Sequence, residues 1–413
     1  MNYKQLLIAI LILLNINTIA QQKFNKQNFA EMYNTNGVDL HPKFEVYHHN
    51  DSVSTLFYEF DNGELKYNMT TDSTYYSKAV IHYELYYNYK AKQLIDSGSF
   101  VYTDTKNTLN NSSIGYIEIP IKAGNIYLLY IKFTDINRDY NVRTIIDIDK
   151  NNKNTRQNYY IKAEDELPLM KNYINRDENF ALISDRFADS NITLRFFRPN
   201  TSIPKPPMIE SNNRTQGVRA DTFYQIPFYN GSSDILQLSD QGFYHFYNAD
   251  NPKEGFTIYR FTANYPYITT AMQMIMPLRY ISTGSEFKEL YKAKDRKKAV
   301  EDFWIKMSGD KERAQNMIKL FYNRVQNANI NFTADREGWM TDRGMIFIIY
   351  GAPDVVYRDG MMETWQYGNF RNDKAITFNF FKVKNPFTDN YYVMQRDADY
   401  KFSWIKGIEV WRK

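Results

Sequence analysis

Between Phe44 and Asn264 apolar and polar residues alternate with a period of two, and after Thr283 the period becomes that of a helix. Side chains alternate across a strand but recur every three to four residues along a helix face, so one pattern cannot serve the other fold. In 79–90, Ala79, Ile81, Tyr83, Leu85, Tyr87 and Tyr89 share one face, with His82, Glu84, Asn88 and Lys90 on the other. Similar runs at 55–60, 99–102, 115–119, 127–134 and 143–148 are punctuated by turn clusters such as Asp61-Asn62-Gly63 and Ala123-Gly124-Asn125. Short strands at this spacing predict an antiparallel β-sandwich of immunoglobulin size over 42–160, ending in a polar linker at 149–156. A second β-sandwich-like domain is predicted over 161–280, with strands at 180–184, 192–197, 221–227, 235–239, 243–248 and 255–264. Its Pro-rich stretch 199–213 reads as an extended surface loop. The 35 Tyr and 28 Phe suit this reading, because aromatic side chains favour pleated, half-buried surfaces.

From 281 to 413 the pattern predicts an α+β domain. Thr283-Gly284-Ser285-Glu286 fits a capping box. Ala299, Val300, Phe303, Trp304 and Met307 form one helical stripe, and Ala314, Met317, Ile318, Phe321, Val325 and Ala328 form the next, with Gly309 between them. Strands are predicted at 345–350, 363–367, 376–383 and 391–395, and Trp404, Ile408 and Trp411 return to helical spacing. The architecture is therefore mainly β, with two antiparallel Ig-like sandwiches followed by a helix-plus-sheet domain.

The first twenty residues have the form of a secretory signal: a weakly basic start at Lys4, an apolar run Leu6–Leu14, and Ala20 at a cleavage point before Gln21. The polar residues 21–41 then read as a tether. With no Cys in the chain there is no lipobox thiol, disulfide or thiolate metal site, so the expected product is an exported protein of the periplasm or outer-membrane surface and not a lipoprotein. No later run has the length of a transmembrane helix. A net charge of +4 over 413 residues does not suit a nucleic-acid binder, and the basic run Lys292–Lys298 reads as a solvated helix face.

All five His precede residue 246, which removes histidine-based catalysis and His metal sites from the last domain. No cofactor motif is present, and Asp147-Ile148-Asp149 lacks the Gly and the final acid of a calcium loop. The remaining candidates for chemistry are carboxylates: Asp335, Glu337, Asp342, Asp354, Asp359 and Glu363. They lie around Gly338-Trp339-Met340-Thr341-Asp342-Arg343-Gly344. In that run Gly338 and Gly344 are expected to supply backbone angles other residues resist. Trp339 is expected to be an anchor, and Thr341 and Asp342 to belong to a tight turn leading into a buried strand at 345–350.

This run is the GWxTD signature, and the chain resembles the family that carries it. Phe303-Trp304, Arg324-Val325, Ala328-Asn329, Phe332, Tyr350-Gly351-Ala352-Pro353-Asp354 and Glu363-Thr364-Trp365-Gln366-Tyr367 are similar to the family pattern as well. The resemblance covers roughly 280–413 and implies a Bacteroidota-type envelope protein; it brings no catalytic residues. The expected function is non-enzymatic binding or scaffolding of an envelope protein or glycan, through a surface or cleft formed by Glu337, Asp354, Glu363, Trp365 and Tyr367, with Trp404 and Trp411 as further exposed aromatics. The alternative is a carboxylate-dependent hydrolase of envelope glycan or peptide, which requires two of these acids to converge in an open cleft.

Overall fold

The computed structural model describes residues 24–34, 40–105, 112–164, 167–210, 220–368 and 375–412. The signal sequence expected at 1–20 lies outside these residues. The first β unit contains β1 (Lys43–Tyr47), β2 (Val53–Asp61), β3 (Asn68–Met69), β4 (Tyr75–Tyr86), β5 (Leu94–Thr105), β6 (Ser112–Pro120), β7 (Ile126–Asp135) and β8 (Tyr140–Asp149). One sheet runs β1-β2-β6. The other runs β5-β4-β7-β8, with β3 on the end of β4, and every pair is antiparallel. Leu56 and Phe60 from the first sheet meet Ile81, Leu85, Ile131 and Phe133 from the second in one core. That is a sandwich built on the period-two face read from the sequence.

The second unit contains β9 (Tyr160–Lys162), β10 (Asn179–Ile183), β11 (Asn191–Phe197), β12 (Thr222–Tyr229), β13 (Ser232–Ser233), β14 (Leu236–Gln237), β15 (Gly242–Asn248) and β16 (Phe256–Arg260). Its strands run β14-β10-β13-β12-β11-β15-β16, with β9 on β10. Phe180 and Leu182 of β10 share a core with Leu194, Phe246 and Ile258 from the far half of that path. The Pro-rich loop is docked rather than free. Asp397 N–H donates to the Pro207 carbonyl (3.2 Å), and Ile203 and Met208 pack on the C-terminal core.

The C-terminal unit contains α1 (Ala271–Ile275), α2 (Gly284–Lys292), α3 (Arg296–Ser308), α4 (Lys311–Phe332), α5 (Asp342–Tyr350), the antiparallel meander β17 (Val355–Arg358), β18 (Met362–Tyr367), β19 (Ile376–Lys382) and β20 (Tyr392–Met394), and α6 (Tyr400–Glu409). Thr283 caps α2 with the reciprocal Glu286 bond that the sequence signalled. Among the described residues no helix is long and apolar enough to cross a membrane.

Two expectations are corrected. Residues 345–350 form the body of α5, not a strand. A continuous apolar run has no period to read, and Thr341 starts a helix by accepting the Gly344 N–H. The segment 21–41 is not a loose tether where it is described. Phe24, Phe29, Ala30 and Tyr33 are buried in the C-terminal core, and the segment forms a strap between that unit and the first sandwich. Phe29 N–H donates to the Val356 carbonyl (2.8 Å) and Asn28 Oδ1 accepts Val356 N–H (2.9 Å), so the strap closes the β17 edge. On its other side Phe24 meets Tyr86 edge-on at 4.8 Å, and Glu31 pairs with Arg143 of β8 at 2.5 Å.

Candidate functional site

The 338–344 run is a packing device before it is anything else. Gly338–Met340 form a 3-10 turn pressed on α4. A Cβ on Gly338 would meet the Ala328 carbonyl oxygen at 1.9 Å, and one on Gly344 would meet the Gly338 oxygen at 2.0 Å. Neither glycine is among those with positive φ, so the requirement is close backbone approach and not the unusual angles expected from the sequence. Trp339 is buried. Its backbone N–H donates to Asn329 Oδ1 (3.1 Å), its indole N–H donates to Glu337 Oε2 (2.7 Å), and its carbonyl accepts Tyr280 Oη (2.8 Å). Burial pushes the Glu337 carboxyl upward, and the Trp339 bond partly offsets it.

Thr341 is the N-cap of α5, and it also donates to the Gly338 carbonyl (2.8 Å). Asp342 does not sit in the turn as expected. It reaches across to β20, accepting Met394 N–H (2.8 Å), and pairs with Arg396 at 2.5 Å. At the other end of α5, Arg324 donates to the Ile348 and Ile349 carbonyls (3.1 and 3.0 Å), and the Trp411 indole N–H also donates to Ile349 (3.2 Å). These bonds satisfy carbonyls that a buried helix end would otherwise leave orphaned.

Arg343 points the other way, into a buried charge cluster. Its Nη1 is 3.2 Å from Glu363 Oε1, its Nη2 donates to the Asn390 carbonyl (3.0 Å), and its guanidinium lies 3.9 Å from the Tyr392 ring centre. Glu363 is fully buried on β18 and also pairs with Arg358 (3.1 Å). It accepts the Trp365 indole N–H (3.2 Å) and the Tyr33 hydroxyl (2.9 Å) from the strap. Burial raises the Glu363 carboxyl, but Arg343 and Arg358 outweigh it and hold it below the usual range. Burial first, then the negative Glu363, drives the Tyr33 hydroxyl upward, so Tyr33 stays a donor.

The surface or cleft expected from Glu337, Asp354, Glu363, Trp365 and Tyr367 is not formed. Trp365 is completely buried, and Tyr367, Trp404 and Trp411 are buried too. Their rings build the core between meander and helices, with Trp365 against Phe332, Phe380 and Tyr33, and Trp411 against Trp304 and Phe321. The acids are each tied to their own partners. Asp354 Oδ2 accepts Gly368 N–H (2.7 Å), Asp359 Oδ1 accepts Met361 and Met362 N–H (3.0 and 2.9 Å), and Asp335 pairs with Arg336 (2.8 Å). A shallow depression of ≈ 680 Å³ beside α1 and α4 is lined by Ile268, Met274, Tyr322, Asn323 and Gln326 among others, with no carboxylate in its lining. Among the described residues no group of three or more His, Asp or Glu is placed to hold a metal ion. Asp149 of the calcium-like segment accepts Asn151 and Asn152 N–H (both 3.1 Å), as an Asx turn does.

The family model of the GWxTD domain matches residues 242–413. The chain carries a GWxTD domain. The match begins in the second β unit and takes in β15 and β16, and the structure ties β16 and the residues after it to the C-terminal unit. The Tyr259 hydroxyl donates to the Phe387 carbonyl (2.9 Å), and Gly338 N–H donates to the Tyr265 hydroxyl (3.4 Å). No curated protein matches the chain. Among solved structures, the BSP domain of a biofilm-associated protein shares 13% identity at a TM-score of 0.24, covering 54% of this chain and 30% of that one. Trypsin-activated alpha-2-macroglobulin from Escherichia coli shares 9% identity at a TM-score of 0.18, covering 55% and 17%. The chain thus spans well under half the length of either.

Sequence reasoning missed Arg358, Arg396, Tyr33 and Asn390, the partners that give the motif its charge balance. Only the apolar spacing Phe24, Phe29, Met32 and Tyr33 inside a polar stretch signalled that the strap docks.

Proposed function

We propose that this protein is a non-enzymatic scaffold of the cell envelope, in which the GWxTD domain acts as a keystone. The domain holds the strap, both β units and its own meander in fixed relation, and the β units carry the contact with a protein or glycan partner. The observation that supports this reading is the use made of the motif. Its acids and guanidiniums are consumed by intramolecular partners, with Glu363 satisfied by two guanidiniums, a hydroxyl and an indole. A general acid or base needs a free edge toward substrate, and a buried carboxylate held below its usual range by two cations has none. The expected export signal and the absence of Cys support an envelope location.

Crosslinking in native membranes, followed by identification of the captured species, tests the scaffold reading. It is expected to recover a defined envelope protein or glycan through β-unit residues. Hydrolysis of envelope glycan or peptide by the purified chain, abolished by Glu337→Gln or Asp342→Asn with folding intact, would overturn it in favour of the hydrolase.

A further inference from the structure

One sheet face of the second β unit is covered by the C-terminal unit at one end and left bare at the other. Arg195 of β11 lies opposite Phe223 of β12 and His245 of β15, and Thr193 lies opposite Gln225 and Tyr247. Opposed residues of antiparallel strands share a face, and the alternating Ile192 and Leu194 turn to the core of the unit. At the covered end Phe387, from the loop after β19, packs on Phe197, Phe243 and His245. At the β12 end Phe223 is 59% exposed, and Gln225 is exposed too.

Arg195 stands between the covered and bare parts. Its guanidinium carbon lies 4.3 Å from the Tyr247 ring centre and 5.3 Å from that of Phe223. Its Nε is fully enclosed without a partner, while its terminal nitrogens reach solvent. A half-buried cation without an anion is costly, and elsewhere the chain avoids it. Among the described arginines that are not exposed, all but Arg156, Arg195 and Arg260 bond a carboxylate or a backbone carbonyl. Arg156 acts on the nearby Glu45 carboxyl, and Arg260 is only 9% exposed. Arg195 alone joins an unpaired, solvent-reaching guanidinium to a bare aromatic ring.

We propose that this shelf binds a uronic acid unit of an acidic glycan, its ring lying on Phe223 and its carboxylate forked by the terminal nitrogens of Arg195. This rests on the scaffold reading above and names the partner that a β unit contacts. A pyranose ring presents a face of C–H groups, apolar surface that a bare Phe ring removes from water. A guanidinium matches a carboxylate with two parallel hydrogen bonds. Gln225 Nε2 donates to Thr193 Oγ1 (3.2 Å), which fixes an exposed amide beside the cation for a sugar hydroxyl. Phe223 and Gln225 are two residues apart on one strand, about 7 Å, within reach of a single sugar unit. A neutral sugar leaves the guanidinium without its anion, and an acidic peptide side chain has no rigid ring to set on Phe223.

Isothermal titration calorimetry of the full chain with tetragalacturonate and tetraglucuronate tests this, beside their methyl esters, which keep the rings and lose the charge. At least one of the two acids is expected to bind, more weakly as salt rises, and its ester about tenfold more weakly or worse. Arg195→Gln and Phe223→Ala are each expected to weaken binding about tenfold or more. Circular dichroism checks that both variants fold, and Phe223 is exposed enough for its loss to leave the fold intact. No binding of either acid at millimolar concentration, equal binding of acid and ester, or binding indifferent to both variants would each overturn the proposal. So would tetraglutamate bound as tightly through Arg195, which would assign the shelf to an acidic peptide. Envelope crosslinks through the β units without any uronate binding would remove the shelf and leave the scaffold reading standing.

Discussion

Glu363→Gln removes one charge from the centre of the GWxTD domain and leaves its shape. The carboxylate sits 3.2 Å from Arg343 and 3.1 Å from Arg358, and accepts from Tyr33 and Trp365. The amide keeps one acceptor oxygen but turns an NH₂ group toward donors and leaves two guanidiniums without an anion. Removing one partner of a buried ion pair costs about 3–5 kcal/mol. All five Trp, at 304, 339, 365, 404 and 411, lie in this domain, so tryptophan fluorescence follows its unfolding alone. With a guanidinium dependence of about 4 kcal/mol per molar, that cost moves the midpoint down by about 1 M. The loss also has a pH signature. The folded carboxyl lies below its ordinary value of 4.5, so its stabilisation is present above that value and disappears as pH falls through the folded one. The gap between wild type and variant is therefore widest near neutrality and narrows below about pH 4.5, where protonated Glu363 resembles Gln. Replacing both Arg343 and Glu363 by Met is expected to recover part of the loss, because Arg358 retains some access to water. A midpoint shift below about 0.3 M, or an equal gap at neutral and acid pH, would refute the picture of a buried anion neutralising two cations.

Gly338→Ala and Gly344→Ala each drive a Cβ into a backbone oxygen; each is expected to cost about 3 kcal/mol or more by the same fluorescence assay. Gly284→Ala, at an open position in the first turn of α2, is the control and is expected to be neutral or stabilising by up to about 1 kcal/mol. Thr341→Ala removes the α5 cap and is expected to cost about 1 kcal/mol. Phe29→Ala empties a fully buried site in the strap and is expected to cost about 3–5 kcal/mol, with faster proteolytic cutting near the strap; unchanged cutting would mean that the strap does not hold the units together. Burial of His245, followed by the positive charge of Arg195, lowers its pKa to about 3. Stability of the second β unit therefore declines as pH falls from about 6.5 toward that value, where the unfolded chain takes up a proton the folded one refuses, and His245→Phe is expected to flatten this dependence in acid titration followed by circular dichroism.

The strands were legible where one face is wet. Ala79, Ile81, Tyr83 and Leu85 fall on the core side of β4 as their spacing says. The capping box of α2 and the helical stripes of α3 and α4 were legible for the same reason, since each is a local pattern with a local cause. α5 was not, because its run Met345–Ile349 is buried on every side and carries no period. The decisive residue was Thr341, whose side chain fixes the first helical turn through Gly344, a bond spanning three residues that the sequence permits but does not single out.

The charges at the motif were illegible for a different reason. Asp342 finds Arg396 across 54 residues, and Tyr33 finds Glu363 across 330. Neither separation leaves a spacing to read, and both partners depend on where β18, β20 and the strap are brought by packing that has no counterpart in any one segment. The same fact explains why the aromatic residues were misplaced. Trp365 and Tyr367 alternate with polar neighbours, and burial along β18 alternates with them: Glu363, Trp365 and Tyr367 are buried and Met362, Thr364 and Gln366 only half-buried, so the aromatics occupy the inner face, which the helices and the strap cover. A motif dense in Gly, Trp, Thr, Asp and Arg can therefore look like a site while each of its members answers a packing demand. Gly338 and Gly344 let backbones touch, Thr341 starts a helix, and Asp342 and Arg343 point in opposite directions to fasten it. The chain's contacts with other molecules are then to be sought on surfaces that packing leaves bare.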